Sequence, residues 1–215
     1  MTSQPSIFIG TPPPFQCPVP ALLRDLDRVK EEIQMLHFDR AVRRSFDAAA
    51  AVSPAAQDSY ARWWFAELYF RRAALTVRAM LDANPDSCSL ANLMGAVADS
   101  AATIQCPFVP EMQVAGGARL DPQKVQDDLA ALRAAAEDVR KYVNKYLAHV
   151  DRVWKGGPPD TTVTDSAVDL LGELLKKYTL ILTGADLVVT PLPHFDVTAA
   201  FREAWLPAAP SAAAS

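Results

Sequence analysis

Residues 53–81 read SPAAQDSYARWWFAELYFRRAALTVRAML, and this stretch indicates the fold class most strongly. Ser53 followed by Pro54 is a common start of an α-helix, because serine caps the first backbone N–H groups and proline is tolerated in the first turn. The residues after them include no glycine and no further proline, and they are apolar over much of the helix circumference. Such a helix is typical of the centre of a bundle. We therefore predict a long helix that ends near Leu81.

Further helices are predicted on both sides of this central one. Apolar residues recur at helical spacing before and after it, and the prolines Pro85 and Pro122 mark a helix end and a helix start. The predicted helices span residues 21–50, 53–81, 87–102, 122–153, 165–183 and, more briefly, 197–205. Residues 106–120 predict a loop, and residues 184–195 fit either a loop or a short extended piece. Long helices with short connections predict an all-α, antiparallel helical bundle.

The two ends of the chain differ in composition from the middle. Residues 1–20 contain six of the seventeen prolines and predict an extended arm. Residues 207–215 are small and repetitive, which predicts a flexible tail. The helical domain is therefore expected over residues 21–206, where the chain has enough apolar residues to bury a sizeable core.

Charge and cysteine content narrow the range of functions. The net charge of −4 and the pI near 5.4 argue against a general nucleic-acid or membrane-surface binder. The three cysteines, Cys17, Cys88 and Cys106, are odd in number and lack CxxC spacing, so we expect neither a disulfide framework nor a metal site. No cofactor motif is present. The start of the chain does not read as a signal peptide, and no apolar run is long enough to span a membrane, so a cytoplasmic protein is expected.

The predicted fourth helix ends in RKYVNKYLAHVDRVWKGG, residues 140–157, where two different faces can be distinguished. One face continues an apolar stripe through Val143. The other face is expected to carry Tyr142, Lys145, His149 and Arg152, with Lys141 beside them. Five basic residues and one acidic residue fall between positions 140 and 155, which predicts a local basic patch on an acidic chain. Such a face is a functional site, a dimer contact or a solvated surface.

Two segments resemble a known superfamily. NKYLAHVD, residues 144–151, and ALTVRAMLDANPDSCSLANLM, residues 74–94, resemble the AbiU-like branch of the HEPN domains in content, order and spacing. The resemblance covers roughly residues 20–185. It implies an HEPN-like helical bundle that pairs as a two-fold homodimer and serves bacterial abortive infection, phage defence or toxin–antitoxin systems.

The resemblance also implies a chemistry. Active members carry an arginine, four to six further residues and then a histidine, and the two motifs meet across the dimer to cut RNA without a metal. In that reaction the histidine transfers a proton. The arginine holds the phosphate with its planar guanidinium and stabilises the charge that develops on it.

This chain departs from the motif at the arginine. Counted back from His149, that arginine would fall at Tyr142, Val143 or Asn144, and the likeliest alignment puts it at Val143. We therefore favour a non-catalytic module that binds RNA, a nucleotide or an antitoxin-like protein through Tyr142, Lys141 and Arg152. The alternative is a metal-independent endoribonuclease with His149 as acid/base, Lys145 or Arg152 as the cation that holds the phosphate, and Asn144 in the site. A helical bundle of unrelated function is the third possibility.

Some expectations concern packing rather than chemistry. His37 and His194 are expected to be structural. The aromatic residues between Trp63 and Phe70 are expected in the core or in an interface. The dimer interface is expected to include the C-terminal half of the fourth helix. Seven apolar residues are predicted to be largely buried: Leu75, Val77, Leu81, Leu132, Val139, Val143 and Leu147.

Overall fold

A computed structural model describes residues 20–52, 59–147 and 156–190, and within these ranges the protein consists of α-helices without a β-strand. The all-α prediction is therefore confirmed. The helices are α1 (Pro20–Ala51), α2 (Tyr60–Met80), α3 (Leu90–Asp99), α4 (Pro122–Ala135), α5 (Glu137–Tyr142) and α6 (Thr161–Thr183). A short 3₁₀-helix (Pro110–Met112) and a π-helical turn (Val143–Leu147) complete them. The arm, the tail and the short helix predicted over 197–205 lie outside the described residues, apart from Pro20.

Side-chain caps set the helix starts, and two of them differ from the predictions. Ser59 accepts a hydrogen bond from the backbone N–H of Arg62, so α2 begins after Ser59, whereas one helix was predicted over 53–81; the predicted start at Ser53 lies outside the described residues. Asp160 caps α6 in the same way, four residues before the predicted start. Gly184, with φ of +69°, ends α6 in the left-handed conformation that glycine adopts without steric cost.

The long helices pack antiparallel around one core. Between α1 and α2, Glu32 lies near Arg72 (3.3 Å) while Asp47 lies near Arg62 (3.6 Å), so residue numbers run in opposite directions. Helices α1 and α6 are antiparallel as well. Arg40 hydrogen-bonds to the Asp165 carbonyl, and His37, which comes earlier in α1, hydrogen-bonds to the Val168 carbonyl, which comes later in α6. The bundle topology is confirmed. Its largest fully buried side chains include Ile33, Leu36, Leu90, Leu93, Met94, Leu132, Leu171, Leu175 and Tyr178.

The fourth predicted helix is not continuous, which corrects the expectation of one helix over 122–153. At Ala136 the backbone leaves helical geometry (φ −100°, ψ 3°), and α4 ends there. Helix α5 follows and passes into the π-helical turn, while residues 148–155 lie outside the described part of the chain. The backbone hydrogen bonds from the Ala136 N–H to the Leu132 carbonyl (3.1 Å) and from the Arg140 N–H to the Ala136 carbonyl (2.9 Å) continue across this interruption.

Most burial predictions are confirmed. Val77, Leu132, Val139 and Val143 are at most 1% exposed, and Leu81 is also buried. Leu147 is partly buried against the core. The prediction for Leu75 is wrong: this side chain is 48% exposed, because it lies on the face of α2 that points away from the bundle.

Candidate functional site

Of the stretch 144–151 that resembles the HEPN motif, residues 144–147 are described, and they lie in the π-helical turn that follows α5. Residues 137–147 are called the motif segment. Val143 is buried, Asn144 is half-buried, and Lys141 and Lys145 are exposed. The predicted acid/base His149 and the predicted binding residue Arg152 lie outside the described residues. The described residues therefore include only the N-terminal part of the predicted site, residues 141–145.

Tyr142 does not belong to the exposed face, and its predicted role as a solvent-facing binding residue is corrected. The side chain is 3% exposed. Its ring lies 5.6 Å from the ring of Phe70 on α2 and stacks on Tyr146 at 5.4 Å (centroid distances). Burial, followed by the nearby Glu67 carboxylate, raises the pKa of Tyr142. The buried stripe through Val139 and Val143 continues as predicted, but Tyr142 lies on the side of it that α2 covers with Phe70, so Tyr142 is buried as well.

An arginine does lie beside the motif segment, but it comes from another helix. Arg78 of α2 donates a hydrogen bond from Nε to Oδ1 of Asn144 at 3.3 Å, and its Nη1 lies 3.4 Å from Asp82. Sequence reasoning missed Arg78 as a site residue. The sequence offered one signal for Arg78, because it lies within residues 74–94, one of the two segments that carry the resemblance. Nothing in the sequence showed that this part of α2 faces residue 144.

The predicted basic patch is partly neutralised. Arg140 donates two hydrogen bonds to Glu137, at 2.9 and 3.0 Å, and the hydrogen bond from Arg140 is the main reason that the pKa of Glu137 is lowered. Lys141 lies 3.5 Å from Glu137 and 3.8 Å from Asp138. Glu137 and Asp138 precede position 140, so they were not included when the charges of residues 140–155 were counted. Lys141 is therefore an ion-paired residue on α5 and a weaker candidate for binding a partner than the sequence indicated.

A second polar cluster lies between α1 and α6 and is called the α1–α6 cluster (His37, Arg40, Asp165, Asp169 and Tyr69). Arg40 places Nη2 3.1 Å from Nδ1 of His37 and 2.6 Å from Oδ1 of Asp169. Since arginine has only donors, Nδ1 of His37 is the acceptor. Nε2 then carries the proton and donates to the Val168 carbonyl at 3.1 Å. Burial first, and the Arg40 charge second, lower the pKa of His37.

Tyr69 and Gly172 complete the α1–α6 cluster. The Tyr69 hydroxyl donates to Oδ1 of Asp165 at 2.6 Å, and burial raises its pKa. A Cβ atom at Gly172 would lie 2.6 Å from Nε2 of His37, so the imidazole needs glycine opposite it. Because His37 and Arg40 are buried and their polar atoms are hydrogen-bonded, the cluster holds two helices together, and His37 is structural as the sequence predicted.

The other candidate features of the described residues are a metal site, a membrane-spanning helix and a cleft for a small molecule. Across 20–52, 59–147 and 156–190, no three His, Cys, Asp or Glu side chains converge in a way that could hold a metal ion. In the same ranges, no helix is both long and apolar enough to cross a membrane. A cleft of about 170 Å³ beside Phe70 is lined by Arg43, Trp63, Glu67 and Pro158. This cleft is smaller than typical small-molecule pockets, which measure roughly 300–1,000 Å³. Two surface clefts, of about 540 Å³ beside Cys88 and about 730 Å³ beside Gly116, fall within that range.

Comparisons with known proteins return no relative. No family model matches the chain, and neither a curated protein nor a solved structure is significantly similar to it. Any functional assignment therefore depends on the residues of the motif segment and on the contacts they make.

Proposed function

We propose that this protein is an HEPN-like helical module of a bacterial defence or toxin–antitoxin system that binds a partner without cutting RNA. The observation that carries the proposal is Val143, which is 1% exposed at the position where the resemblance expects the arginine. A buried valine neither holds a phosphate nor stabilises charge on it. One preorganised donor of this kind is commonly worth ~10²–10³ in rate. Lys145 carries a charge but lacks the second parallel hydrogen bond of a guanidinium.

The binding surface that we propose lies on the exposed side of the motif segment. Arg78 is held in place by Asn144 and Asp82 while about 40% of its side chain stays exposed. Tyr146 is 48% exposed, and one face of its ring stacks on Tyr142, so it is a rigid aromatic contact. An exposed guanidinium and an exposed aromatic ring, each in contact with the motif segment, suit RNA, a nucleotide or an antitoxin-like protein, because arginine and tyrosine are favoured in these interfaces.

The alternative is a metal-independent endoribonuclease that uses His149 as acid/base. The contact that favours it is the one between Arg78 and Asn144, since it places a guanidinium from α2 next to the polar residue of the motif. In this alternative, Arg78 replaces the missing arginine from another helix. Its ion pair with Asp82 would have to open or turn before both guanidinium prongs could hold a phosphate.

Incubation of the purified protein with structured and unstructured RNA in EDTA separates the two functions. We expect no cleavage. Robust cleavage that disappears in His149→Ala would overturn the non-catalytic proposal. If that cleavage also disappears in Arg78→Ala but persists in Arg133→Ala, Arg78 is the replacement arginine. Arg133 is a suitable control because it is an exposed arginine on α4, outside the motif segment.

Binding is tested separately with a fluorescently labelled RNA oligonucleotide and with labelled nucleotides. We expect Arg78→Ala and Tyr146→Ala to weaken binding, each by roughly tenfold, because each removes one charged or stacking contact. Arg133→Ala should leave the affinity unchanged. Equal affinities for all three variants would contradict the assignment of the binding surface to the motif segment.

A further inference from the structure

A groove crosses the surface of α3 between α1 and α4. Helix α3 forms its floor at Gly95. Helix α1 forms one wall with Asp25 and Arg28, and α4 forms the other wall with Leu129 and Arg133. This groove is the larger of the two clefts that line a helix of the bundle, with a volume of about 540 Å³, and we call it the α3 groove.

The floor of the α3 groove is open above Gly95. No atom lies within 4 Å of the position that a Cβ would take there. Glycine inside a helix costs about 0.5–1 kcal/mol relative to alanine, and no described neighbour requires so small a residue at this position. The free space above Gly95 therefore suits a side chain from outside the described residues.

The walls of the α3 groove supply hydrogen-bond donors. Arg28 and Arg133 line it from two different helices, and within the described part of the chain neither makes a hydrogen bond or an ion pair. A guanidinium has only donors, so both side chains can bind carbonyl or carboxylate oxygens. Three aspartates, Asp25, Asp86 and Asp99, also line the groove, so its charge is close to neutral. Such a groove suits an uncharged chain with free carbonyl groups better than a multiply charged anion such as a nucleotide.

We propose that the α3 groove binds the N-terminal arm of this same chain. The arm joins α1 at Pro20, five residues before Asp25, so it starts at the end of the groove. Residues 1–19 contain no Asp, Glu, Lys or Arg, and five of them are proline. A proline-rich segment favours the polyproline II conformation, in which the backbone carbonyls have no internal hydrogen-bond partner. These carbonyls are the acceptors that the arginines of the two walls require.

The length of the arm fits the groove. Helix α3 has 10 residues and is therefore about 15 Å long. A polyproline II segment advances about 3.1 Å per residue, so about five residues cross it. Cys88 marks the end of the groove next to α1, because its Sγ lies 3.7 Å from the Asp25 carbonyl. With Cys17 beside Cys88, residues 12–16 (PPPFQ) cross α3, and the ring of Phe15 reaches the open floor.

This inference goes beyond the proposed function, since it concerns α1, α3 and α4 and not the motif segment. An arm that does not enter the groove would leave the non-catalytic proposal intact. Ribonuclease activity, in turn, would leave the position of the arm unchanged.

Oxidation of the full chain with diamide tests the proposal, because diamide takes up the two thiol hydrogens as a disulfide forms. A disulfide needs Cα atoms about 4.4–6.8 Å apart. An arm that turns back into the groove meets this condition for Cys17 and Cys88, whereas an arm that continues the direction of α1 places Cys17 roughly 17 Å from the level of Asp25. We expect peptide mass spectrometry to find the Cys17–Cys88 disulfide, with Cys106, which is 1% exposed, still reduced.

Filling the floor of the groove should slow this reaction. In Gly95→Leu the new side chain occupies the space that the arm requires, and we expect disulfide formation to be at least about tenfold slower, because the arm no longer holds the two thiols together. Gly157→Leu is the matched control: nothing lies within 4 Å of a Cβ there either, and Gly157 lies outside the groove. Phe15→Ser is a second test that lies outside the helices of the bundle, and it should slow the reaction to a similar extent.

Two results would overturn the proposal. One is the absence of a Cys17–Cys88 disulfide in the wild-type protein, which would mean that the arm leaves α1 in another direction. The other is a disulfide that forms as fast in Phe15→Ser, or in a Gly95→Leu variant with unchanged circular dichroism, as in the wild type. The arm would then reach Cys88 without entering the groove. A reaction that is slowed by these substitutions and not by Gly157→Leu supports the proposal, and Phe15→Ser alone decides if Gly95→Leu loses helix content.

Discussion

The α1–α6 cluster and the motif segment are both polar, but they differ in how their side chains are held. In the α1–α6 cluster, His37 and Arg40 are buried, and the hydrogen bond between Tyr69 and Asp165 measures 2.6 Å. In the motif segment, the contact between Arg78 and Asn144 measures 3.3 Å, and about 40% of the Arg78 side chain is exposed. Buried, well-paired polar groups fix a structure, because losing one partner leaves the other unsatisfied. A half-exposed polar group that loses its hydrogen-bond partner can bond to water instead.

This difference separates a structural role from a binding role. The α1–α6 cluster has its polar atoms committed to neighbouring helices, so it stabilises the bundle. The motif segment keeps Lys145 and Tyr146 at the surface, where a partner can reach them. The abundance of charged residues in a sequence therefore does not identify a functional site, whereas the accessibility of their polar atoms does.

The largest effect is expected inside the motif segment, at its buried side. Val143→Asp places a carboxylate among core residues with no partner, and we expect a loss of at least about 4 kcal/mol in the free energy of unfolding. Because single domains are stable by roughly 5–15 kcal/mol, the variant should be partly or fully unfolded. Urea denaturation followed by circular dichroism measures the change.

The control for Val143→Asp is Val52→Asp. Val52 is 84% exposed, so the same substitution there should change the stability by less than about 0.5 kcal/mol. A Val143→Asp variant as stable as the wild type would show that the motif segment is not anchored through this residue.

A smaller effect is expected from Gly172→Ala in the α1–α6 cluster. The added Cβ would lie 2.6 Å from Nε2 and 2.7 Å from Cε1 of His37, so the ring or the helix must move. We expect a loss of about 1–3 kcal/mol in the free energy of unfolding. Gly95→Ala is the matched control, since nothing lies within 4 Å of a Cβ there and alanine favours the helix. Gly95→Ala should gain about 0.5–1 kcal/mol, and equal effects of the two variants would refute the tight packing of His37.

The hydrogen bonds of the two regions can be compared directly. Tyr69→Phe removes a hydroxyl that donates to a carboxylate, and we expect a loss of about 1.5 kcal/mol. Asn144→Ala removes a longer, half-exposed contact, and its loss should stay below about 0.5 kcal/mol. Chemical denaturation of both variants gives the difference. A larger loss in Asn144→Ala would mean that the motif segment, too, is a structural cluster.

The smallest effect is a dependence of stability on pH through His37. Its pKa is lowered from the ordinary 6.5 in the folded protein, so the unfolded chain takes up a proton more readily. The contribution of neutral His37 to the free energy of unfolding is therefore fully present above pH 6.5, and it is lost as the pH falls from there through the lowered pKa of His37. Unfolding midpoints between about pH 5 and pH 8 should decline towards acid. In His37→Gln the decline should be shallower, and an unchanged slope would show that another group is responsible.

The sequence predicts the parts of the fold that depend on local pattern. Apolar residues at helical spacing located α1, α3, α4 and α6, because an amphipathic helix has few alternatives to burying that face. The aromatic residues of α2 were harder to interpret. An aromatic-rich helix was expected to be central, but the structure buries Tyr69 and Phe70 and leaves Trp63 and Trp64 half exposed. Periodicity shows that two faces are apolar but not which face meets the core.

The candidate site was less predictable, for a geometric reason. Tyr142 was assigned to the exposed face by rotating about 100° per residue along the helix. Its burial comes from the contact with Phe70 on α2, which a rotation within one helix does not show. Arg78 is 66 residues from Asn144 in the chain, and only the packing of α2 against the motif segment brings them together. Val143 was correctly predicted as buried, because its environment follows from the local apolar stripe alone.

The close approach of His37 to Gly172 has a consequence for how this sequence can change over evolutionary time. A larger residue at position 172 is compatible with the fold only after position 37 has become smaller, and each change alone costs stability. The two positions should therefore change together in evolution, although 172 − 37 = 135 positions separate them in the chain. Related sequences should carry histidine with glycine, or a small residue at 37 with a larger one at 172, and should avoid the mixed combinations.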